Sequence, residues 1–124
     1  MTIWQEARGE SYSGKVGVGE VIRNRVKLAW QGQNTVAGVV LYPLQFSCWN
    51  NYSPSREAAG QLDDTDPIVA ECIKAWAESE TSNLTNGATH YFNPKIVHPA
   101  WANALGATVQ VPIGNHIFVK GVAS

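Results

Sequence analysis

The sequence predicts an α+β protein that is mainly helical, with a small β element towards its carboxyl end. Apolar residues recur at helical spacing through the first two thirds of the 124 residues. The last third instead contains short aromatic and β-branched runs bounded by Gly and Pro, as strands are. Because the two kinds of element occupy separate parts of the chain, we expect helices and strands to segregate in the fold.

Three helices are predicted in the amino-terminal third of the chain. Residues 2–8 form a short helix that ends before a glycine. Residues 14–30 form a longer helix, because apolar side chains recur there at helical spacing. These side chains are Val18, Val21, Ile22, Val26 and Ala29. Residues 34–43 form the third helix, with Asn34 as its candidate N-cap and a proline after its end.

The middle of the chain contains the most regular predicted helix. Residues 44–66 are polar and irregular, with a short helix near 55–62. Residues 67–79 follow as a helix, since Asp66 is a suitable N-cap and Pro67 fits the first helical position. Its predicted apolar stripe consists of Val69, Cys72, Ile73 and Trp76.

Two strands are predicted in the last third. One covers residues 87–93 and the other covers residues 116–120, directly after Gly114 and Asn115. We expect them to pair as a ribbon, with an irregular connection over residues 94–113.

Length, charge and termini limit the possible functions. The 124 residues fit one domain, which we assign to residues 1–124. A net charge of −1 predicts no nucleic-acid partner. No apolar stretch approaches the ~20 residues that span a bilayer. The amino terminus lacks the basic and apolar parts of a secretory signal, so the chain is made in the cytoplasm or is a mature form without its leader.

Motifs that bind metals or nucleotides are missing from the sequence. It contains no HExxH, no cysteine cluster and no phosphate-binding glycine loop, so we predict no metal and no cofactor. We interpret Cys48 and Cys72 as buried small apolar residues rather than as a disulfide. A Cys-His nucleophile at Cys48 stays open as an alternative.

The motif Glu6-Ala7-Arg8-Gly9-Glu10 is the first candidate for chemistry. It can be a solvated helix end, where two acids four residues apart repel each other mildly. Alternatively, Trp4 and the apolar helix that follows place a carboxyl beside aromatic walls. The charged form of such a carboxyl is disfavoured, so that it can donate a proton near neutral pH.

Aromatic and polar residues form the second candidate. They are Phe46, Ser47, Trp49, Asn50, Tyr52, His90, Tyr91, Phe92 and Asn93. Aromatic rings stack on sugars and the polar groups hydrogen-bond them, although each aromatic residue taken singly fits a core as well. On the predicted strand, His90 and Phe92 share one face, and Tyr91 and Asn93 share the other. Only one of these faces can line a cleft.

Glu20 is the single acidic residue within the apolar span of the 14–30 helix. Two interpretations remain open. It is either an exposed helix position or, beside Glu10, a second carboxylate for catalysis.

Four sequence blocks together resemble the spore-cortex-lytic (SleB-type) cell-wall hydrolases. The run WQEARGESYSGKVGVGEVIRNRV begins at Trp4 and is followed by FSCW at 46–49, GATHYFNP at 87–94 and IGNHIF at 113–118. The blocks occur in the family's order, and the resemblance covers nearly the whole chain.

The resemblance implies a lysozyme-like fold with a small β-ribbon beside the active-site groove. It implies cleavage of peptidoglycan between N-acetylmuramic acid and N-acetylglucosamine, by a lytic transglycosylase or muramidase that uses one glutamate. That glutamate corresponds to Glu6. Substrate contacts are implied more loosely for Glu10, Phe46, Ser47, Trp49, His90, Tyr91 and Asn93.

A single catalytic domain without a leader resembles a phage endolysin. Such a protein acts on the wall as a monomer, after a separate protein has permeabilised the membrane. Its partners are glycan strands, with no stable membrane insertion. Two alternatives remain: a peptidoglycan-binding or phage structural module without catalysis, and an amidase or peptidase acting on the peptide stems.

Overall fold

The fold is described from a computed structural model. The structure describes residues 2–3, 9–29, 32, 35–37, 67–97, 99 and 109–120. The elements with defined bounds are α1 (Tyr12–Lys27), α2 (Pro67–Glu78), β1 (His90–Phe92), β2 (Val109–Ile113) and β3 (His116–Lys120).

Parts of two more predicted helices are seen, since residues 2, 3, 36 and 37 are helical. The remainder of the helices predicted over 2–8 and 34–43 lies outside the described residues, as does the whole of 44–66.

Helix α1 confirms the long helix of the sequence, with shifted ends. Its N-cap is Ser11, whose side-chain oxygen accepts a hydrogen bond from the Gly14 N–H at 3.2 Å. The helix ends at Lys27 rather than at residue 30. Ala29 lies beyond the end with a positive φ of 48° and is exposed, so its predicted place on the apolar face is wrong.

Helix α2 confirms the predicted 67–79 helix to within one residue. Val69 and Cys72 are buried as predicted, and Trp76 packs on the core. Ile73 is 61% exposed, however, and Ala75 is buried in its place. The buried face therefore runs along Cys72 and Ala75, and Ile73 lies about 100° round the helix from Cys72.

The sheet has the strand order β1-β3-β2, and both pairings are antiparallel. The predicted ribbon is confirmed, because His90 pairs with Val119 and Phe92 with Ile117. Its first strand is shorter than predicted, His90–Phe92 instead of 87–93. Strand β2 is a correction, since it lies within the connection predicted to be irregular. It contains Pro112, which cannot donate to a strand ladder and is tolerated here on an edge strand.

The core lies between the two helices and the central strand β3. Its buried residues are Ile3, Val18, Val21, Ile22, Val69, Cys72, Ala88 and Phe118. Two glycines of α1 allow close approach: Gly17 faces the Phe118 ring and Gly19 faces Ser79. The architecture is thus the predicted α+β fold, with helices packed on one small antiparallel sheet. Within the described ranges, no helix is long and apolar enough to cross a membrane.

We expect Gly17→Ala to lower the free energy of unfolding by about 1–3 kcal/mol. A Cβ at this position would lie 2.6 Å from Phe118 Cζ, and the Phe118 ring is fully buried and cannot move aside. Urea unfolding measures the loss. Ser13→Ala, at an exposed position of the same helix, is the control and should not lose stability. Equal stability of Gly17→Ala and wild type would contradict this packing.

Candidate functional site

Four of the predicted site residues, Glu10, His90, Tyr91 and Asn93, fall within the described structure. The others, Glu6, Phe46, Ser47 and Trp49, lie outside it, and so does Cys48. Their predicted roles stay predictions. Cys72 is buried in the core, as expected.

The carboxylate of Glu10 binds the turn between β2 and β3. Its Oε1 accepts a hydrogen bond from the Asn115 backbone N–H at 3.0 Å, and its Oε2 accepts one from Asn115 Nδ2 at 2.9 Å. His116 Nδ1 lies 3.6 Å from Oε1, so a protonated imidazole would pair with the carboxylate. The Glu10 side chain is only 9% exposed. The turn itself depends on Gly114, whose φ of +59° suits the first position of a type II′ turn.

A buried lysine holds the backbone of the same residue. Lys15 on α1 donates through Nζ to the Glu10 carbonyl at 2.8 Å and to Glu71 Oε1 on α2 at 3.1 Å. The side chain of Lys15 is 4% exposed, so the ammonium group needs both acceptors. Lys15 could not be singled out from the sequence, because a lysine within an amphipathic helix carries no signal of burial.

Tyr91 is connected to Glu10 through His116. The ring centroids of Tyr91 and His116 lie 5.0 Å apart, and those of Tyr91 and Phe118 lie 5.6 Å apart. Tyr91 is half-buried. The structure therefore brings together Glu10 and Tyr91, two predicted substrate-binding residues. It adds His116, which belonged to a recognised sequence block but was not among the predicted site residues.

The two faces of β1 differ in exposure as the alternation requires. His90 and Phe92 are buried, whereas Tyr91 and Asn93 are half-buried. The face of Tyr91 and Asn93 is the more exposed of the two, although Tyr91 also packs against the core. Asn93 Oδ1 also accepts a hydrogen bond from the Lys95 N–H at 2.9 Å, which fixes the turn after the strand. A substrate contact from His90 is less favoured by this geometry.

Helix α1 holds the segment that leads into β1. Arg25 Nε donates to the Thr89 carbonyl at 2.6 Å, and Asn24 Nδ2 donates to the Ala88 carbonyl at 2.8 Å. Thr89 Oγ1 and His90 Nδ1 share a hydrogen bond of 3.0 Å. Tyr91 follows His90 directly in the strand. Its position therefore depends on the polar side chains of the helix that hold residues 88 and 89.

Burial also determines the charge states of His90 and Arg25. Desolvation, and then the nearby Arg25 guanidinium, lower the pKa of His90 to about 4. Desolvation lowers the pKa of Arg25 to about 10, which the proximity of Tyr91 partly opposes. At neutral pH His90 is therefore uncharged and Arg25 is charged.

Glu20 is buried, with 3% exposure, so its interpretation as an exposed helix position is wrong. Its carboxylate accepts hydrogen bonds from the Leu84 N–H at 2.9 Å, from the Thr85 N–H at 2.9 Å and from Thr85 Oγ1 at 2.8 Å. Ser82 Oγ donates a further one. All of these donors belong to the loop after α2, so the Glu20 carboxylate holds that loop in place. Glu20 therefore has a structural role. Across the described ranges, no three His, Cys, Asp or Glu residues are grouped to hold a metal.

The fold is lysozyme-like and matches solved catalytic domains over nearly the whole chain. The catalytic domain of the germination-specific lytic transglycosylase SleB from Bacillus anthracis aligns with a TM-score of 0.69 and 34% identity, covering 96% of this chain and 88% of that one. The catalytic domain of SleB from Bacillus cereus aligns with a TM-score of 0.68 and 33% identity, covering 96% and 84%.

Sequence comparisons give the same family. The Cell Wall Hydrolase family profile matches residues 9–119. The chain is 33% identical over 124 residues to a spore cortex-lytic enzyme of Bacillus cereus, and 34% identical over 121 residues to that of Bacillus subtilis. Each match covers 95% of this chain but only 41% and 35% of the respective relative. The chain therefore belongs to the Cell Wall Hydrolase family and spans less than half the length of these curated relatives.

We expect Glu20→Gln to lower the free energy of unfolding by roughly 2–4 kcal/mol. The amide nitrogen would face N–H and O–H donors instead of accepting from them. Denaturant unfolding measures the change, with the exposed Glu80→Gln as the control that makes the same chemical substitution. A Glu20→Gln protein as stable as the control would contradict the structural role of Glu20.

The lowered pKa of His90 predicts a pH dependence of stability. Between pH 6.5 and about pH 4 the unfolded chain binds a proton that the folded chain does not. The free energy of unfolding therefore falls as the pH falls through this window, by up to about 3 kcal/mol from this group. His90→Gln should show a smaller fall than wild type when both are unfolded in urea across the window. An imidazole NMR signal of His90 that titrates near pH 6.5 would contradict the shift.

Proposed function

We propose that this chain degrades peptidoglycan as a lytic transglycosylase or lysozyme-type muramidase. It would cleave the β-1,4 bond between N-acetylmuramic acid and N-acetylglucosamine. The observation that carries the proposal is the match, over 96% of the chain at 34% identity, to a catalytic domain described as a lytic transglycosylase. An identity of 34% over nearly the whole chain supports a likeness in sequence as well as in fold.

We assign the acid of the reaction to Glu6. The family profile begins at residue 9, so this assignment rests on the resemblance of the Glu-Ala-Arg-Gly-Glu motif. Protonated Glu6 donates its proton to the glycosidic oxygen, and the bond from that oxygen to the muramic acid carbon breaks. The 2-acetamido group of the substrate stabilises the positive charge at that carbon.

The same carboxylate then acts as a base. It takes the proton from the C6 hydroxyl of muramic acid, whose oxygen bonds to the anomeric carbon and closes a 1,6-anhydro ring. One carboxylate is used twice, and no water is consumed. A hydrolase would instead need a second carboxylate about 5–9.5 Å from the first.

The accessible face of β1 supports the binding part of the proposal. Tyr91 offers a half-buried aromatic ring and Asn93 a half-buried amide on one face, and such groups suit a sugar. Phe46, Ser47 and Trp49 remain predicted contacts from the resemblance.

We further propose that residues 1–124 act as one catalytic domain, as a monomer, in the role of a phage endolysin. Its production in a bacterial host with and without a membrane-permeabilising protein tests that role. We expect lysis only when both proteins are produced. If the cells stay intact under both conditions, the endolysin role is contradicted.

A digest of purified peptidoglycan, read by mass spectrometry, tests the activity. We expect wild type to release muropeptides lighter by one water than hydrolytic products. Glu6→Gln should reduce their release by roughly 10²–10⁴-fold, since the amide cannot transfer the proton. Glu80→Gln, exposed and distant in sequence, should act like wild type.

Other products would change the proposal in defined ways. Ordinary reducing ends would indicate a hydrolytic muramidase. Intact glycan strands with released stem peptides would indicate an amidase or peptidase. Intact peptidoglycan that still binds the protein would contradict the enzyme and indicate a binding module.

A further inference from the structure

We propose that Glu10 is a positioning residue rather than a second catalytic carboxylate. Together with Asn115, Lys15 and Glu71 it forms what we call the Glu10 clasp. The clasp joins the segment that follows Glu6 to the β2–β3 turn on one side and to α2 on the other. This inference rests on the proposed function, because it states what Glu10 does for that reaction.

Both oxygens of the Glu10 carboxylate are engaged by one residue. Asn115 donates its backbone N–H to Oε1 at 3.0 Å and its side-chain Nδ2 to Oε2 at 2.9 Å. Two parallel donors fix the plane of the carboxylate as well as its position. The Glu10 side chain is 9% exposed, and its two hydrogen bonds lie at the surface because Asn115 is exposed. A carboxylate held in this way suits a fixed contact better than proton transfer.

The turn fits closely against this carboxylate. A Cβ placed on Gly114 would lie 3.2 Å from Glu10 Oε1, so the glycine lets the backbone of the turn approach. His116, the residue after Asn115, brings its Nδ1 to 3.6 Å from the same oxygen. The β2–β3 turn therefore meets Glu10 through three successive residues.

The backbone of Glu10 is fixed from the opposite direction. Lys15 Nζ donates to the Glu10 carbonyl at 2.8 Å and to Glu71 Oε1 at 3.1 Å. Since Lys15 is almost fully buried, its ammonium group cannot exchange these acceptors for water. Residue 10 is thereby tied to α1, α2 and the sheet at once.

The clasp connects the two parts of the proposed site. Covalent geometry keeps the Glu6 Cα within about 14 Å of the Glu10 Cα, because only four successive Cα–Cα steps join them. On the sheet side, the tilted rings of His116 and Tyr91 lie in contact, with centroids 5.0 Å apart. We therefore expect a change in the clasp to affect both the segment that follows the proposed acid in sequence and the strands that carry His116 and Tyr91.

The experiment exchanges the donor and acceptor groups of the clasp. Asn115→Asp alone places two carboxylates against each other, and we expect roughly a tenfold fall in the rate of muropeptide release. Glu10→Gln alone should cost less, about two- to fivefold, because the Asn115 amide can turn over and pair with the new amide. In the double variant the new side-chain amide at position 10 can donate to the new carboxylate at position 115, and the net charge of wild type is kept.

We expect the double variant to work faster than Asn115→Asp alone, approaching the rate of Glu10→Gln. This recovery distinguishes positioning from catalysis, since removal of a needed catalytic carboxylate could not rescue a variant. Rates are compared at a temperature at which circular dichroism shows every variant folded, so that lost stability alone does not change them. Glu80→Gln, added to wild type and to Asn115→Asp, is the matched control and should rescue nothing.

Two results would overturn the proposal. One is a folded Glu10→Gln protein without activity whose double variant is also inactive, which would make the Glu10 carboxylate part of the reaction. The other is an Asn115→Asp variant with the wild-type rate. If wild type itself leaves peptidoglycan intact, the proposed function fails and the positioning role fails with it. In that case the melting temperatures of wild type, the two single variants and the double variant still decide whether the clasp forms.

Discussion

The structure depends on the buried polar side chains of α1, each of which binds a different part of the chain. Lys15 fixes the segment before the helix, Glu20 binds the loop at 82–85, and Arg25 holds the backbone before β1. Most of the acceptors and donors they use belong to the backbone. The helix therefore determines the path of segments that have little regular structure of their own.

Such contacts contribute to the specificity of the fold more than to its net stability. Taking a charged group out of water costs several kcal/mol, and well-placed hydrogen bonds roughly offset this cost. Losing one partner leaves the other buried without compensation, so alternative arrangements of the loops are penalised. The glycines of α1 serve the same purpose, because Gly17 and Gly19 let Phe118 and Ser79 approach the helix axis. Polar and steric contacts together determine how the sheet lies against the helix.

Local pattern predicted both helices and the pairing of β1 with β3, but it predicted neither β2 nor the polar contacts between residues far apart in sequence. The apolar spacing of α1 and Pro67 at the start of α2 are local signals, and both helices were found. Strand β2 was missed because Pro112 is typical of a break, and only its place on the sheet edge makes it tolerable. The burial of Glu20 depends on donors more than 60 residues away, and Glu10 meets its partner 105 residues along the chain. The resemblance singled out the motif that contains Glu10, but no local signal indicates its contact with Asn115.

The contacts of Glu10 and Glu20 bear on how many carboxylates take part in the proposed reaction. The sequence offered Glu10 and Glu20 as candidates for a second catalytic carboxylate. Glu20 is committed to the loop after α2, and the two oxygens of Glu10 are committed to Asn115. A retaining or inverting hydrolase needs a second carboxylate that is free to attack carbon or to activate water. Both of these candidates are therefore held by structural donors, which supports the proposed route in which one carboxylate first gives and then takes the proton and the substrate supplies its own nucleophile.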